Sequence, residues 1–232
     1  MYLCVDIGTS SIKAVEKDEN GQVIRWGILE RRGNPFHTSI QPIKIEDAAP
    51  NLARLVSAMG ATATKAVASI PAFLAITSVA EAPDPKYVPA APGTFSMSAV
   101  PVNEKFFLAA IPNAVGEMYA DIFARAGLAL DRITLESAAL AAALGTEAMP
   151  VLIIDVGDRS TTFTVAQDGS VKYIEQTDFA LASHAPDVII SKAEKIAANF
   201  KTKKNVLSGG AALLNLKGYV APNSLLAIAH GL

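Results

Sequence analysis

The sequence predicts an α/β protein made of two copies of one lobe, because a long segment occurs twice in outline. The stretch LCVDIGTSSIKAVEKDENGQVIRW near the start returns as LIIDVGDRSTTFTVAQDGSVKYIE in the middle of the chain. In both copies an apolar strand carries Asp-x-Gly at its end, and a polar turn, a second strand, a Gly-containing turn and a third strand follow. Two unrelated α/β domains are the alternative, and the shared Asp-x-Gly turns argue against it.

The first lobe is predicted over residues 1–145, and its elements are set by hydrophobic period and by glycine stops. Gly127 and Gly145 stand where helices are expected to end. The predicted strands are 3–7, 12–16, one after Asn20-Gly21, 65–70 and 130–135, and the predicted helices are 47–59, 113–126 and one that ends at Gly145.

The second lobe is predicted over residues 146–232 with the same order of elements. The predicted strands are 152–156, 161–165, one after Asp168-Gly169, 205–207 and one near Tyr219, and the predicted helices are 186–200, a short one after Gly210 and 223–230.

A small insertion is predicted in the first lobe at about residues 71–105. This stretch holds six prolines, including PDPKYVPAAPG, and two short apolar runs. Proline at this density cannot continue a helix or a central strand. A compact subdomain with two or three edge strands is the favoured interpretation, and a mobile loop is the alternative.

Composition excludes several classes of function. Half of the residues are hydrophobic (51%), and 20 basic against 22 acidic side chains give a net charge of −2 without a basic block, so nucleic acid is not an expected partner. The single cysteine, Cys4, lies in an apolar strand and favours a core residue in a reducing, cytoplasmic setting. No segment resembles a signal peptide or a spanning helix, so membrane contact is expected to be indirect.

The paired Asp-x-Gly turns predict a phosphate clamp. Turns of this kind present backbone N–H groups, and glycine lets a phosphate approach closely. One turn alone is a common hairpin, but two that face each other can hold a nucleotide tail from both sides. Asp6 and Asp155 would then hold a hydrated Mg²⁺, while the hydroxyls of residues 9–11 donate to phosphates and Lys13 supplies positive charge. The alternative for Lys13 is a solvated strand residue.

A third motif follows the second lobe's first helix, where the strand in NVLSGGAALL runs into Ser208-Gly209-Gly210. A double glycine lets a flat ligand lie against the backbone, although Gly-Gly also ends strands for conformational reasons.

Together these motifs resemble the two phosphate motifs and the adenosine motif of the actin, sugar kinase and Hsp70 superfamily. More closely, VDIGTSSIKAVE, AGLALDRITLESAALAAAL and IIDVGDRSTTFTV resemble the PilM family of type IV pilus assembly, as do VASIP with YVP and the closing LLAIAHGL. The resemblance implies two RNase H-like lobes in an actin-like ATPase fold, with ATP and Mg²⁺ bound between them. The nucleotide-binding residues predicted on this basis are Asp6, Gly8, Thr9, Ser10, Ser11, Lys13, Asp155, Gly157, Ser160, Thr161, Ser208, Gly209 and Gly210, with Asp6 and Asp155 at the metal.

The resemblance further implies a cytoplasmic adaptor at the inner face of a membrane. Its partner would be the amino-terminal cytoplasmic tail of a PilN-like inner-membrane protein, held near the insertion. Self-association into a homo-oligomer is left as an open alternative. At most weak ATPase activity is expected. A small-molecule kinase of the same superfamily and an actin-like scaffold that binds no nucleotide are the alternatives.

Two departures from the family pattern bear on nucleotide binding. Asp158 and Arg159 replace the small residues that relatives place after the second Asp-x-Gly, and only DFALASHA stands where relatives insert a subdomain in the second lobe. Without that wall one face of the base would be wet, so weak ATP binding with little base discrimination is expected. Glu136, before the last helix of the first lobe, fits a water-activating base or, preferably, a helix-dipole partner.

Overall fold

The computed structural model describes residues 1–30, 43–102, 104–144, 146–157, 160–178, 186–202, 204–209 and 219–220. Gly145, Gly210 and the two helices predicted after residue 210 lie outside this part of the chain. Within it, none of the helices is both long enough and apolar enough to span a membrane.

The elements follow one another in nearly the predicted order. The helices are α1 (Ile45–Met59), α2 (Asn113–Arg125), α3 (Glu136–Leu144) and α4 (Pro186–Phe200). The strands are β1 (Tyr2–Ile7), β2 (Ser11–Lys17), β3 (Val23–Glu30), β4 (Lys65–Ile70), β5 (Ile76–Ala80), β6 (Phe95–Val102), β7 (Lys105–Pro112), β8 (Ala129–Leu135), β9 (Val151–Val156), β10 (Thr161–Gln167), β11 (Ser170–Thr177), β12 (Lys204–Gly209) and β13 (Tyr219–Val220).

Two five-stranded sheets have the same topology. The first has the order β3-β2-β1-β4-β8 and the second the order β11-β10-β9-β12-β13. In each sheet the first three strands form an antiparallel meander, and the remaining two join it in parallel. The duplication indicated by the repeated segment is therefore confirmed in the fold.

A third, smaller sheet lies between β4 and α2 in the chain. Its three strands are antiparallel in the order β5-β7-β6, and β7 continues to Pro112, beyond the predicted end of the insertion at residue 105. β6 ends this sheet on one side, just as β8 ends the first large sheet.

The apolar helix α3 joins the two large sheets. Its sequence, ESAALAAAL, is apolar on almost every side, and the helix packs against strands of both sheets. A helix that is apolar all round is typical of a buried position. The main hydrophobic core accordingly runs from β1 and α1 through Leu140 of α3 to β9, where it includes Val151 and Ile153.

One buried carboxylate ties β2 to the loop between α1 and β4. Glu16 accepts hydrogen bonds from the backbone N–H groups of Thr62 and Ala63, each at 2.7 Å, and from the Thr62 hydroxyl at 3.1 Å. The guanidinium of Arg25 on β3 pairs with the other carboxylate oxygen. Burial alone would raise the pKa of Glu16, but these donors outweigh it and lower the pKa below its ordinary value.

Glu16→Gln should therefore lower the free energy of unfolding by about 2 kcal/mol at pH 7, because hydrogen bonds to a charged acceptor are replaced by weaker ones. A carboxylate whose pKa is lower in the folded state contributes stability above its unfolded pKa of about 4.3 and loses it as the pH falls through the folded value. Urea denaturation at pH 7 and at acidic pH measures both effects. The matched control is Glu19→Gln in the exposed hairpin turn, and equal losses in the two variants would contradict the prediction.

Candidate functional site

Equivalent aspartates lie near the carboxyl ends of the central strands of the two large sheets. Asp6 on β1 stands opposite Lys13 and Ser69, and Asp155 on β9 stands opposite Thr162 and Ser208. The Ser69 hydroxyl donates to Asp6 Oδ1 at 2.8 Å, and the Ser208 side chain hydrogen bonds to Asp155. The duplication has thus given each aspartate a serine partner, of which only Ser208 was singled out from the sequence.

The two Asp-x-Gly turns are closed in the same way. The N–H of Gly8 donates to Ser11 O at 2.9 Å, and the N–H of Gly157 donates to Ser160 O at 2.8 Å. A Cβ at Gly157 would lie only 3.1 Å from that acceptor oxygen, so the second turn favours glycine for steric reasons.

The turns and strand ends of both lobes enclose one polar cavity of about 90 Å³. Phe73 and Pro71, which follow β4, complete its wall together with Gln176 of β11. Its lining includes most of the predicted site residues: Asp6, Gly8, Thr9, Ser10, Ser11, Lys13, Asp155, Gly157 and Ser160. A larger cavity of about 340 Å³ adjoins it and shares Thr9 and Ser160 as walls.

Lys13 is the cation of this cavity. Its Nζ donates to Asp6 Oδ2 at 3.0 Å, and the Asp6 side chain is fully buried. Burial disfavours the ammonium, but the nearby Asp6 and Asp155 carboxylates outweigh it and raise the pKa of Lys13. For Asp155 itself burial dominates, so its pKa is raised although Lys13 and Ser208 act in the opposite direction.

The structure adds Glu136 and Thr162 to the cavity wall. Glu136 opens α3, and the sequence favoured a helix-dipole role for it. Burial raises its pKa well above the usual range, and the Asp6 and Asp155 carboxylates raise it further. Glu136 directly follows β8, and the carboxyl ends of parallel strands meet at one edge of a sheet. Its place in the sequence could therefore have predicted that it lies beside the other cavity residues.

Three predicted residues do not line the cavity. Thr161 is fully buried and lies on the opposite face of β10 from Thr162, because side chains alternate along a strand. Ser208 is also buried, and its side chain hydrogen bonds to Asp155. Gly209 has φ +60°, and a Cβ there would lie 2.6 Å from Val156 O and 2.7 Å from Asp155 Oδ1. Gly210, like the Asp158-Arg159 pair, lies outside the described residues.

A separate groove runs between the small sheet and the first large sheet. One part, about 500 Å³, is lined by Gly116 and Ala120 of α2, by β8 and by Ser96 of β6. A second part, about 440 Å³, continues past Arg132 and Phe107 along the same two strands. The sheet orders of the described strands place both β6 and β8 at sheet edges, and residues of both strands line this groove.

Comparison with known proteins gives a match in fold without a match in sequence. No protein-family model matches the chain, and no curated protein matches it. The chain is similar in structure to a PilM–PilN type IV pilus biogenesis complex, with a TM-score of 0.80 at 12% identity over 100% of this chain and 97% of the other. It is also similar to the cytoplasmic domain of EpsL, an inner-membrane component of the type II secretion system of Vibrio cholerae, with a TM-score of 0.61 at 11% identity over 99% and 92% of the two chains. A third similar structure is MreB5 of Spiroplasma citri bound to ADP, with a TM-score of 0.55 at 12% identity over 99% and 94%.

The chain has the actin-like ATPase fold. The resemblance to PilM indicated by the sequence motifs is confirmed at the level of this fold. In it, the polar cavity lies between the two duplicated lobes, where the sequence placed the nucleotide.

The donor set of the cleft fits a hydrated Mg²⁺ better than a directly bound metal ion. Carboxylate oxygens are the ligands that Mg²⁺ prefers, and the ion usually keeps several waters. Among the described residues, however, no group of three or more carboxylate, histidine or cysteine side chains is arranged to hold a metal. The Asp6 and Asp155 carboxylates therefore suit contacts to the water shell of an ion better than direct coordination.

Gly209→Ala should destabilise the protein by at least about 1 kcal/mol more than Gly169→Ala. Both glycines have positive φ, so both variants are strained. A Cβ at Gly169 meets open space, whereas at Gly209 it collides with backbone and with Asp155. Urea denaturation gives the free energy of unfolding of both variants, and their difference reports the cost of the collision. Equal losses of stability would contradict the close approach of β12 to Asp155.

Proposed function

We propose that this chain is a nucleotide-binding, actin-like adaptor of a type IV pilus or secretion assembly platform. It would act in the cytoplasm at the inner face of the membrane, attached through a partner. The observation that carries the nucleotide-binding half is the polar cavity in which two duplicated turns and their aspartates meet. The adaptor half is supported by the groove beside β6 and by the similarity in fold to PilM and to the EpsL cytoplasmic domain.

In this proposal the two turns hold the phosphates of ATP. The hydroxyls of Thr9, Ser10, Ser11 and Ser160 donate to phosphate oxygens, and the Lys13 ammonium supplies positive charge. A bound Mg²⁺ would neutralise phosphate charge, and Asp6 and Asp155 would orient its waters. Only residues 178–185 separate β11 from α4, too few for a further subdomain beside the base, so we expect weak binding with little preference for adenine.

Asp6→Asn and Asp155→Asn should each abolish the rise in melting temperature that Mg-ATP gives to the wild-type protein. Each amide keeps the shape and can still accept from its serine partner, but it loses the charge that attracts the metal's water shell. Differential scanning fluorimetry with Mg-ATP, and with ATP in EDTA, measures the effect.

The control is Asp121→Asn, which removes a half-exposed carboxylate from α2, a helix that does not line the cavity. It should retain the full response to Mg-ATP. A normal response of both cleft variants would contradict the proposed phosphate clamp, since metal-assisted binding must depend on at least one of the two carboxylates.

The partner we propose is the amino-terminal cytoplasmic tail of a PilN-like inner-membrane protein. Strand edges bind extended peptides through backbone hydrogen bonds, and alternate side chains enter flanking pockets. The groove between β6 and β8 offers two such edges, with the small side of α2 at Gly116 and Ala120 as its floor. An extended tail fits this shape better than a helix, because a helix cannot hydrogen bond to a strand edge.

Gly116→Trp should weaken binding of such a tail peptide at least about tenfold, because the ring would occupy the groove. A Cβ at Gly116 meets nothing within 4 Å, so the backbone has room for a side chain to begin at this position. Fluorescence anisotropy with labelled peptides from neighbouring membrane-protein tails measures the affinity. Ala114→Trp, at an exposed position on the same helix that does not line the groove, is the control. Equal binding by both variants would move the partner site elsewhere.

A further inference from the structure

The first observation concerns how completely Asp6 is engaged. Its Oδ2 accepts from the Lys13 ammonium at 3.0 Å, and its Oδ1 accepts from the Ser69 hydroxyl at 2.8 Å. The side chain of Asp6 is fully buried, and that of Lys13 is only 17% exposed. The water shell of a metal ion could therefore reach Oδ2 of Asp6 only after Lys13 has moved.

The second observation is an asymmetry between the duplicated lobes. Lys13 stands opposite Asp6, but the equivalent position opposite Asp155 is Thr162, which carries no charge. Among the described residues that line the cavity, Lys13 is the single cation, and it faces the three carboxyl groups of Asp6, Asp155 and Glu136. Among these described residues, one ammonium thus faces the carboxyl groups of both halves of the cleft.

We propose that Lys13 is the resident cation of the nucleotide-free cleft and excludes divalent metal ions from it until a nucleotide arrives. An ammonium and a hydrated divalent ion compete for the same oxygen of Asp6, and in a partly buried site their mutual repulsion is weakly screened. A nucleotide removes this competition, because its phosphates offer Lys13 a new anionic partner and carry a bound metal ion. Divalent metal and nucleotide therefore bind together, and metal alone does not bind.

The inference deepens the proposed nucleotide site by assigning its order of binding. Lys13 changes partner from Asp6 to phosphate at the moment when the metal's water shell reaches Asp6. Removal of Lys13 takes away the cation that pairs with Asp6, so the Asp6 carboxylate can then meet the water shell of a divalent ion without nucleotide.

The decisive experiment measures Mn²⁺ binding to the full chain without nucleotide, by the loss of the electron paramagnetic resonance signal of free Mn²⁺. Lys13→Met should bind Mn²⁺ at least about tenfold more tightly than the wild-type protein. Lys17→Met, at the other end of β2 and outside the cavity lining, removes the same charge and should match the wild type. Lys13→Arg, which keeps a cation, should also match it. Equal Mn²⁺ affinity of Lys13→Met and the wild type would overturn the proposal.

The wild-type protein provides a second test that does not depend on a variant's folding. Millimolar MgCl₂ without nucleotide should leave its melting temperature unchanged relative to the same ionic strength of NaCl. A rise that Asp6→Asn abolishes would show metal in the cleft beside Lys13 and would overturn the proposal. Failure of the nucleotide site itself is distinguishable: the wild type would then ignore Mg-ATP, while Lys13→Met would still gain Mn²⁺ binding.

Discussion

The pairing of the Asp6 carboxylate with the Lys13 ammonium, at the cavity where the two lobes meet, is the constraint on which the cleft depends. A buried carboxylate is costly unless a donor or a cation satisfies it. Asp6 and Asp155 end strands whose other side chains are apolar, and each has a serine partner on the neighbouring parallel strand. The remaining negative charge is met by Lys13 alone among the described residues of the lining. Any ligand of the cleft must therefore rearrange this small network.

The network follows from sheet register. The antiparallel pairing of β1 with β2 sets Lys13 opposite Asp6, and the parallel pairing of β1 with β4 sets Ser69 on its other side. A one-residue slip in either pairing would turn these side chains to the opposite face of the sheet. The apolar α3 then holds the two sheets so that both strand ends open onto the same cavity, with Glu136 at its first position.

The duplicated fold and the two turns could be predicted from sequence, because a strand that ends in Asp-x-Gly leaves a local pattern. Contacts between segments that are distant in the chain leave a weaker pattern in the sequence. The sequence placed Lys13 at the phosphate turn but did not indicate its ion pair with Asp6, which depends on the register of β1 with β2. The sequence motif includes Thr161 but not Thr162, whereas the register of β10 sets Thr162 opposite Asp155.

Glu136 shows how the charges of the cleft bear on the capacity of a carboxyl group to act as a general base. A general base must be unprotonated to accept a proton from water. Burial and the two aspartates raise the pKa of Glu136 well above its ordinary value, and Lys13, the group that lowers it, is held by Asp6. The protonation state of Glu136 therefore depends on where Lys13 lies, which ties the capacity of this carboxyl group to accept a proton to the ion pair that holds Asp6.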